Sequence, residues 1–322
     1  MSSRKVLFIK VGALGDVVMA LPACRYLVEK GYQVTWVCGT SARPIVDHFS
    51  KAHEIITVHE SNLFSSSIAS KIKEVFALNA KFFGKTFEHV FIGNSDPRYQ
   101  LLALTARGPR HIFKPGRDEH HTLAYLKMVS KALNEELNDP KPYIPLPLSP
   151  WQGHQSKKIA ISPGGAKNYL ADDDLRRWPI EHYVTLAKEL IAKGYEVHVF
   201  GAPSDKWVLS AFEGLRVQNR IGEFDLISLI KEWSRFRCLI THDSGPLHFG
   251  GLADIPIIAL FGPTLPSWRF PLQRLGRGLT VEPLLPCQPC YDGKSYAPCV
   301  HKNCLRAIGP ERVLELVDQV GS

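Results

Sequence analysis

The stretch Cys238-Leu-Ile-Thr241-His242-Asp243-Ser244-Gly245-Pro246-Leu-His248-Phe-Gly-Gly-Leu-Ala253-Asp254-Ile-Pro256-Ile257-Ile-Ala-Leu-Phe261-Gly262-Pro-Thr264 decides the fold. Cys238 to Thr241 is a short run of β-preferring apolar residues, His242 to Gly245 is turn chemistry, and Pro246 suits the first turn of a helix. A helix from Leu247 to about Ala253 stops at Asp254-Ile-Pro256, and Ile257 to Phe261 forms a second apolar strand. A compact βαβ unit of this kind puts both following loops at the carboxyl ends of parallel strands. The unpaired amides of the first helical turn carry partial positive charge, so this edge is a place for a phosphate or diphosphate, with His248 beside it. The plain alternative is that Asp243 or Ser244 only caps the helix and His248 packs or faces water.

Outward from this unit, the pattern repeats. Lys5 to Lys10 reads as a strand, Val11 to Gly15 as a glycine-containing loop, and Asp16 as the residue that opens a helix over Val17–Lys30, stopped by Gly31. The loop lacks G-x-G-x-x-G, and no acidic residue closes the next strand, Gln33–Cys38, so a dinucleotide-binding reading is poor. Taken alone, Asp16 reads as a helix cap. Lys10, at the strand end, reads as solvated or as a contact for an anionic acceptor. Between Arg43 and Asn138 strands near 54–59, 87–92 and 111–114 alternate with helices near 43–49, 68–82, 99–106 and 122–133, which argues a parallel sheet covered on both faces. Loops there carry Arg98, Arg107, Arg110, Lys114 and Arg117, of which Arg98 and Arg117 are taken as candidates for an anionic acceptor. The adjacent His120 and His121 do not make a metal site.

Residues 139–150 carry five prolines, which no helix or central strand tolerates, and are read as a linker between a first domain, 1–138, and a second, 151–322. The second restarts with strand Lys158–Ser162 and the loop Pro163-Gly164-Gly165, where glycines let amides approach a ligand. Helix 180–193, strand 196–200, a turn at Gly201-Ala202-Pro203, a helix from Ser204, a strand near 217–221 and a helix over 226–236 follow. Asp172-Asp-Asp174 reads as an exposed acidic turn rather than a magnesium site. Cys287, Cys290, Cys299 and Cys304 have the spacing C-x2-C-x8-C-x4-C, which could close a tetrahedral zinc or iron site. The segment is expected outside the catalytic loops, so a metal there would be structural. A closing helix over 310–318 is expected to pack back on the first domain.

Composition limits the function classes. The chain has 322 residues, 45% hydrophobic and 22% charged, a globular composition long enough for two domains. It has neither a membrane-length apolar run nor a leader-like start, so a cytoplasmic location is expected, with at most peripheral contact with the inner face of the membrane. Lysine and arginine exceed aspartate and glutamate by 39 − 31 = 8, favouring anionic partners, while no nucleic-acid-binding motif is present.

Four segments together add a family. H-D-S-G-P-L-H with F-G-P-T resembles the D-[ST]-G-x-x-H…[FY]-G-P-T segment of the lipopolysaccharide heptosyltransferases, family nine of the glycosyltransferases. The run G-D-V-V-M-A-L-P-A resembles that family's opening segment, and Arg176-Arg177-Trp178-Pro179 its K-x-W-P element, with arginine in place of lysine. The resemblance implies a GT-B fold, in which two Rossmann-like doubly wound domains face each other across a cleft. It implies an inverting, metal-independent transferase that needs no cofactor and moves heptose from ADP-heptose to a hydroxyl of an anionic glycolipid acceptor. Asp16 would be the general base. Gly164, Gly165, Arg176, Gly201, Asp243, Ser244, Gly245 and His248 would hold the donor, and Lys10, Arg98 and Arg117 the acceptor. A nucleotide-sugar epimerase or hydrolase on the same scaffold would need further acid and base residues. A non-catalytic glycan-binding protein would have no use for Asp16.

Overall fold

The computed structural model describes residues 4–64, 67–166, 172–272, 276–280, 282–293 and 295–320. The chain divides into two units between Leu146 and Pro147, inside the proline-rich stretch. Tyr143, which precedes the division, packs its ring edge-on to Tyr26 at 4.8 Å.

The first unit is built on strands β1 (Lys5–Ile9), β2 (Gln33–Gly39), β3 (Glu54–Val58), β4 (His89–Ile92) and β5 (Arg110–Ile112). All pair in parallel, in the order β3-β2-β1-β4-β5. Val6, Leu7, Phe8 and Ile9 are all buried; an uninterrupted apolar run of this kind is needed only where both sheet faces are covered. The cover is supplied by α1 (Leu14–Glu29), α2 (Arg43–Phe49), α3 (Glu60–Leu63), α4 (Ile68–Ala80) and α5 (His121–Ala132). Two expectations change here. Asp16 does not open α1 but stands in its first turn, because the loop winds into helix sooner than the apolar pattern indicates. The helix expected over 99–106 is a 3-10 helix at Pro97–Ala103, started by Pro97 and by the Asp96 carboxylate, which accepts from the Arg98 amide at 2.9 Å.

The second unit has a six-stranded parallel sheet: β6 (Lys158–Ile161), β7 (Glu196–Val199), β8 (Gln218–Asn219), β9 (Cys238–His242), β10 (Ile257–Leu260) and β11 (Gly276–Leu279). The spatial order is β11-β10-β9-β6-β7-β8. Helices α6 (Ile180–Ala192), α7 (Leu226–Trp233), α8 (Gly245–Ala253), α9 (Pro266–Arg269), α10 (Asn303–Arg306) and α11 (Pro310–Gln319) surround it. The helix expected from Ser204 is again 3-10, Pro203–Phe212. Trp178 and Tyr183 anchor the core, with the Trp178 indole donating to the Ile308 carbonyl at 2.9 Å. Helix α11 lays Val313, Leu316 and Val317 into this same core.

Both sheets therefore have one topology. In each, the first strand lies in the middle, the chain winds outward one way and then returns to wind the other way. The reversal falls between β1 and β4 in the first unit and between β6 and β9 in the second. At such a switch point the loops leaving the two central strands diverge, and a crevice opens outside the carboxyl ends of the strands. Among the described residues no helix is long and apolar enough to cross a membrane.

Candidate active site

In the first unit the switch point holds Lys10 and Asp16. Lys10 follows β1 directly, and its backbone is fixed on both sides: its amide donates to the Val37 carbonyl at 3.0 Å, and its carbonyl accepts from the Trp36 indole at 3.2 Å. Its ammonium meets the Asp16 carboxylate at 3.0 Å, with side-chain exposures of 2% for Lys10 and 35% for Asp16. The reading of Lys10 as a solvated strand end is thus overturned. A cation so deeply buried needs a partner, and Asp16 is that partner. Gly93, after β4, makes room: a Cβ there would stand 3.2 Å from two Lys10 side-chain carbons and 3.0 Å from the Ile9 carbonyl oxygen. Tyr99 lies close enough that its phenol is held above the ordinary range, mainly by burial and then by the Asp16 charge. Tyr99 went unremarked in the sequence because its segment carries no motif. The other two acceptor candidates stand differently. Arg98 is 77% exposed and paired with Asp96 at 2.5 Å, whereas Arg117 is exposed.

In the second unit the loops after β6, β7 and β9 come together. Gly164 and Gly201 both lie against Asp205, where an added Cβ would come within 2.6 and 2.8 Å of its side chain. That buried carboxylate accepts from the amide of Gly165 at 2.9 Å and of Ala202 at 2.8 Å, so one aspartate ties the two glycine loops together. Gly165 has a left-handed φ of +79°, which glycine adopts without cost. No side chain caps α8. Ser244 Oγ instead donates to the His242 carbonyl at 3.3 Å, and the capping alternative for Asp243 and Ser244 fails. His242 is buried, with its Nδ1 3.1 Å from the Tyr183 hydroxyl. Burial, aided by Arg176 and Arg177, drives its pKa down to about 3, so it stays neutral.

Asp243 is the centre of a buried cluster. Its Oδ2 accepts from Thr264 Oγ1 at 2.6 Å, lies 3.4 Å from Arg269 and 3.9 Å from Arg176. Burial would raise the Asp243 pKa, but Arg269 and Arg176 more than offset it and keep the carboxyl below its usual range, with His248 adding to the effect. Arg176 is also paired with Asp173 at 2.9 Å. Asp173 is thus no part of an exposed acidic turn; the tight turn before Trp178 folds it inward to meet the arginine. Asp243 Oδ1 and Arg176 Nε are buried with no hydrogen-bond partner among the described residues. His248 is buried in the first turn of α8.

Arg269, Thr264 and Asp205 were missed in the sequence. The signal for Thr264 was present in the G-P-T turn, whereas Arg269 and Asp205 sit in short helices whose direction only packing fixes. The cysteine-rich segment also departs from expectation, because it does not lie outside these loops. Gln288 donates to the Gly262 carbonyl at 2.8 Å, the Tyr291 ring centre is 5.4 Å from the Arg269 guanidinium, and Tyr296 feels the charges of Arg176, Arg269 and Asp243. Gly262 allows this approach: a Cβ would stand 2.7 Å from Leu305 and 2.9 Å from Cys304 Sγ. The seven cysteines are free thiols, and among the described residues no group of three or more His, Cys, Asp or Glu side chains is arranged to hold a metal ion. The polar loop between Gly165 and Arg176 includes 167–171, outside the described residues.

Comparison with known proteins adds sequence and fold relationships. The profile of glycosyltransferase family 9 (heptosyltransferase) matches residues 77–301. The lipooligosaccharide heptosyltransferase 2 of Campylobacter jejuni is 24% identical over 96% of each chain. A family 9 glycosyltransferase from Veillonella parvula superposes with a TM-score of 0.75 at 19% identity, covering 99% of this chain and 97% of that one. The E. coli heptosyltransferase WaaC with ADP superposes at 0.71 and 16% identity, covering 99% and 100%.

Proposed function

This chain belongs to glycosyltransferase family 9, the heptosyltransferases, and from that premise we propose that it moves heptose from ADP-heptose to a hydroxyl of a lipopolysaccharide inner-core acceptor, inverting the anomeric carbon. It is a glycosyltransferase of the GT-B class, with two Rossmann-like domains. The observation that carries the reading is that each sheet has charged or amide-rich loops at its switch point, and that the two sets are chemically unlike. The first offers one carboxylate, the second amides and arginines.

The first unit would take the acceptor, with Arg98 and Arg117 as candidate contacts for its anionic groups. Asp16 would accept the proton of the attacking hydroxyl. Its half-open position lets an alcohol reach it, and the buried Lys10 ammonium 3.0 Å away fixes its orientation. A carboxylate has a reference pKa of about 3.9 and is a weak base toward an alcohol. Proton transfer must therefore accompany departure of the leaving group, and much of the acceleration must come from positioning.

The second unit would take the donor. Gly164, Gly165 and Gly201 leave space along the loops that Asp205 holds. The departing diphosphate gains negative charge, and the amides of Ser244 and Gly245, the α8 dipole, His248 and Arg176 would absorb it. Asp243 would act indirectly, holding Arg176 and Arg269 in place. The scheme uses protein groups throughout. An incoming diphosphate would compete with Asp173 for Arg176. The ADP-bound E. coli heptosyltransferase structure supports ADP as the nucleotide. The enzyme would work in the cytoplasm.

The test is Asp16→Asn, which keeps an acceptor oxygen for the buried Lys10 ammonium, whereas alanine would leave it with neither counter-charge nor acceptor on that side, at about 3 to 5 kcal/mol. Transfer from ADP-heptose to a deacylated lipopolysaccharide core, followed by product mass, should fall at least ~100-fold, the contribution of a general base. ADP affinity by calorimetry should stay within about twofold, since the nucleotide contacts assigned above lie in the other unit. Parallel loss of both quantities would make Asp16 structural and remove the mechanism.

A further inference from the structure

Helix α4 has its outer face turned out. Ile68, Ile72 and Phe76 are 72%, 62% and 74% exposed, and their spacing of four residues lines them along one side of the helix. The rest of that side, Ala69, Lys73, Ala77 and Ala80, is exposed as well, so the face carries a single charge. The helix is anchored at its C-terminal turn and through Glu74: Leu78 and Asn79 are buried, the Asn79 amide donates to the Leu101 carbonyl at 2.8 Å, and Glu74 accepts from the His59 amide at 2.8 Å. A surface helix ordinarily places its apolar residues inward and its charges outward. Helix α4 satisfies its inward contacts and still presents large apolar groups to the outside.

The face continues beyond the helix. Phe83 is 80% exposed, and Leu101, on the neighbouring 3-10 segment, and Leu104, just after it, are 47% and 56% exposed. The rim is basic: Lys73, Lys81, Lys85 and Arg107 are all exposed, and the Arg107 amide donates to the Lys85 carbonyl at 3.2 Å, placing those two side by side. Glu74 is the only acid on α4, and its bond to the His59 amide draws it toward the inner side. Isoleucine and phenylalanine projecting from a helix, with lysines around them and no acid among them, match the interface of a bilayer containing anionic headgroups. The apolar side chains enter the acyl boundary while the cations remain at headgroup level. A partner protein's apolar patch would reward Ile and Phe equally but gives no reason for a rim of one sign. The excess of 8 positive charges over the whole chain acts in the same direction.

We infer that the outer face of α4, with Phe83, Leu101 and Leu104, seats this enzyme on an anionic lipid bilayer. The inference rests on the proposed function in one respect, that a glycolipid acceptor lies at such a surface. Binding to plain phospholipid needs no acceptor, so the two can fail separately.

The experiment is flotation of the full chain with vesicles of phosphatidylethanolamine containing phosphatidylglycerol, and with vesicles of phosphatidylcholine alone. The wild type should bind the anionic vesicles, less so as salt is raised, and bind the neutral ones weakly. Ile72→Ser with Phe76→Ser should lower the partition coefficient at least ~10-fold, the loss expected when these side chains no longer leave water. Lys73→Glu with Lys81→Glu should abolish the preference for anionic lipid. Both double variants should fold as the wild type does by circular dichroism, and transfer heptose to the soluble deacylated acceptor at the wild-type rate. Equal vesicle binding by wild type and both variants would overturn the proposal. So would a wild-type dimer in sedimentation equilibrium that Phe76→Ser dissociates, since a second copy would then own the face. Vesicle binding as expected with no transfer to any acceptor would uphold the surface and refute the proposed function.

Discussion

At the scale of single residues, the buried polar groups Lys10, His242 and Asp243 organise the two switch points. Lys10 was read in the sequence either as a solvated strand-end lysine or as a contact for an anionic acceptor, yet it is 1% exposed. A strand-end position says nothing about what the loops beside it will cover, and the cover comes from α1, which follows at once, and from Gly93, which is distant in sequence. His242 also shows a consequence of burial. Its folded pKa of about 3 lies below an unfolded value of about 6.5. The unfolded chain therefore binds the extra proton, and the stability that neutral His242 gives is complete above about pH 6.5 and lost as pH falls toward 3. Between pH 7 and pH 5 this amounts to about 2 kcal/mol of unfolding free energy. Urea titrations at the two pH values should show this slope in the wild type. In His242→Gln the slope should be flatter by that amount; an unchanged slope would mean the histidine is not held neutral. The motif residues Asp16, Ser244, Gly245 and His248 were legible because their spacing to a strand end was short. Arg269 was not, because its approach to Asp243 bridges 26 residues.

At the scale of elements, ten of the eleven described strands were read near their observed positions, and β11 (Gly276–Leu279) was not read at all. The runs at 5–9, 33–39, 158–161, 196–199, 238–242 and 257–260 are short segments rich in apolar and β-branched residues, and such a signal is local. The 3-10 segments were misread as α-helices because their composition is helical while the backbone is bent by packing on neighbours. Asp205, in one of them, gives the clearest element-level prediction. It holds the Gly164–Gly165 loop to the Gly201–Ala202 turn by two amide bonds to one buried carboxylate. Asp205→Ala frees both loops and should destabilise the second unit by about 1.5 to 3 kcal/mol, the range for hydrogen bonds to a charged group. It should also weaken ADP binding, which calorimetry would register. Intact affinity for ADP would separate these loops from the donor site.

At the scale of the whole molecule, the two units each have their own sheet and core, so each can melt with its own cooperativity. Differential scanning calorimetry should resolve two transitions, and ADP at about 100 times its Kd should move one of them, by about 2.7 kcal/mol at most, and leave the other in place. A single transition that shifts as a whole would mean that the units unfold as one. The sequence by itself determined the strand-loop-helix grammar, the division near the proline-rich stretch and the motif loops, because each depends on contacts between near neighbours along the chain. The tertiary structure alone decided that Lys10 is a buried partner of Asp16, that Asp243 gathers Thr264, Arg176 and Arg269, and that the cysteine-rich segment packs against those loops. Charge pairing and desolvation depend on distance in space, and in a parallel sheet the residues that meet at a switch point arrive from strands separated by whole crossovers.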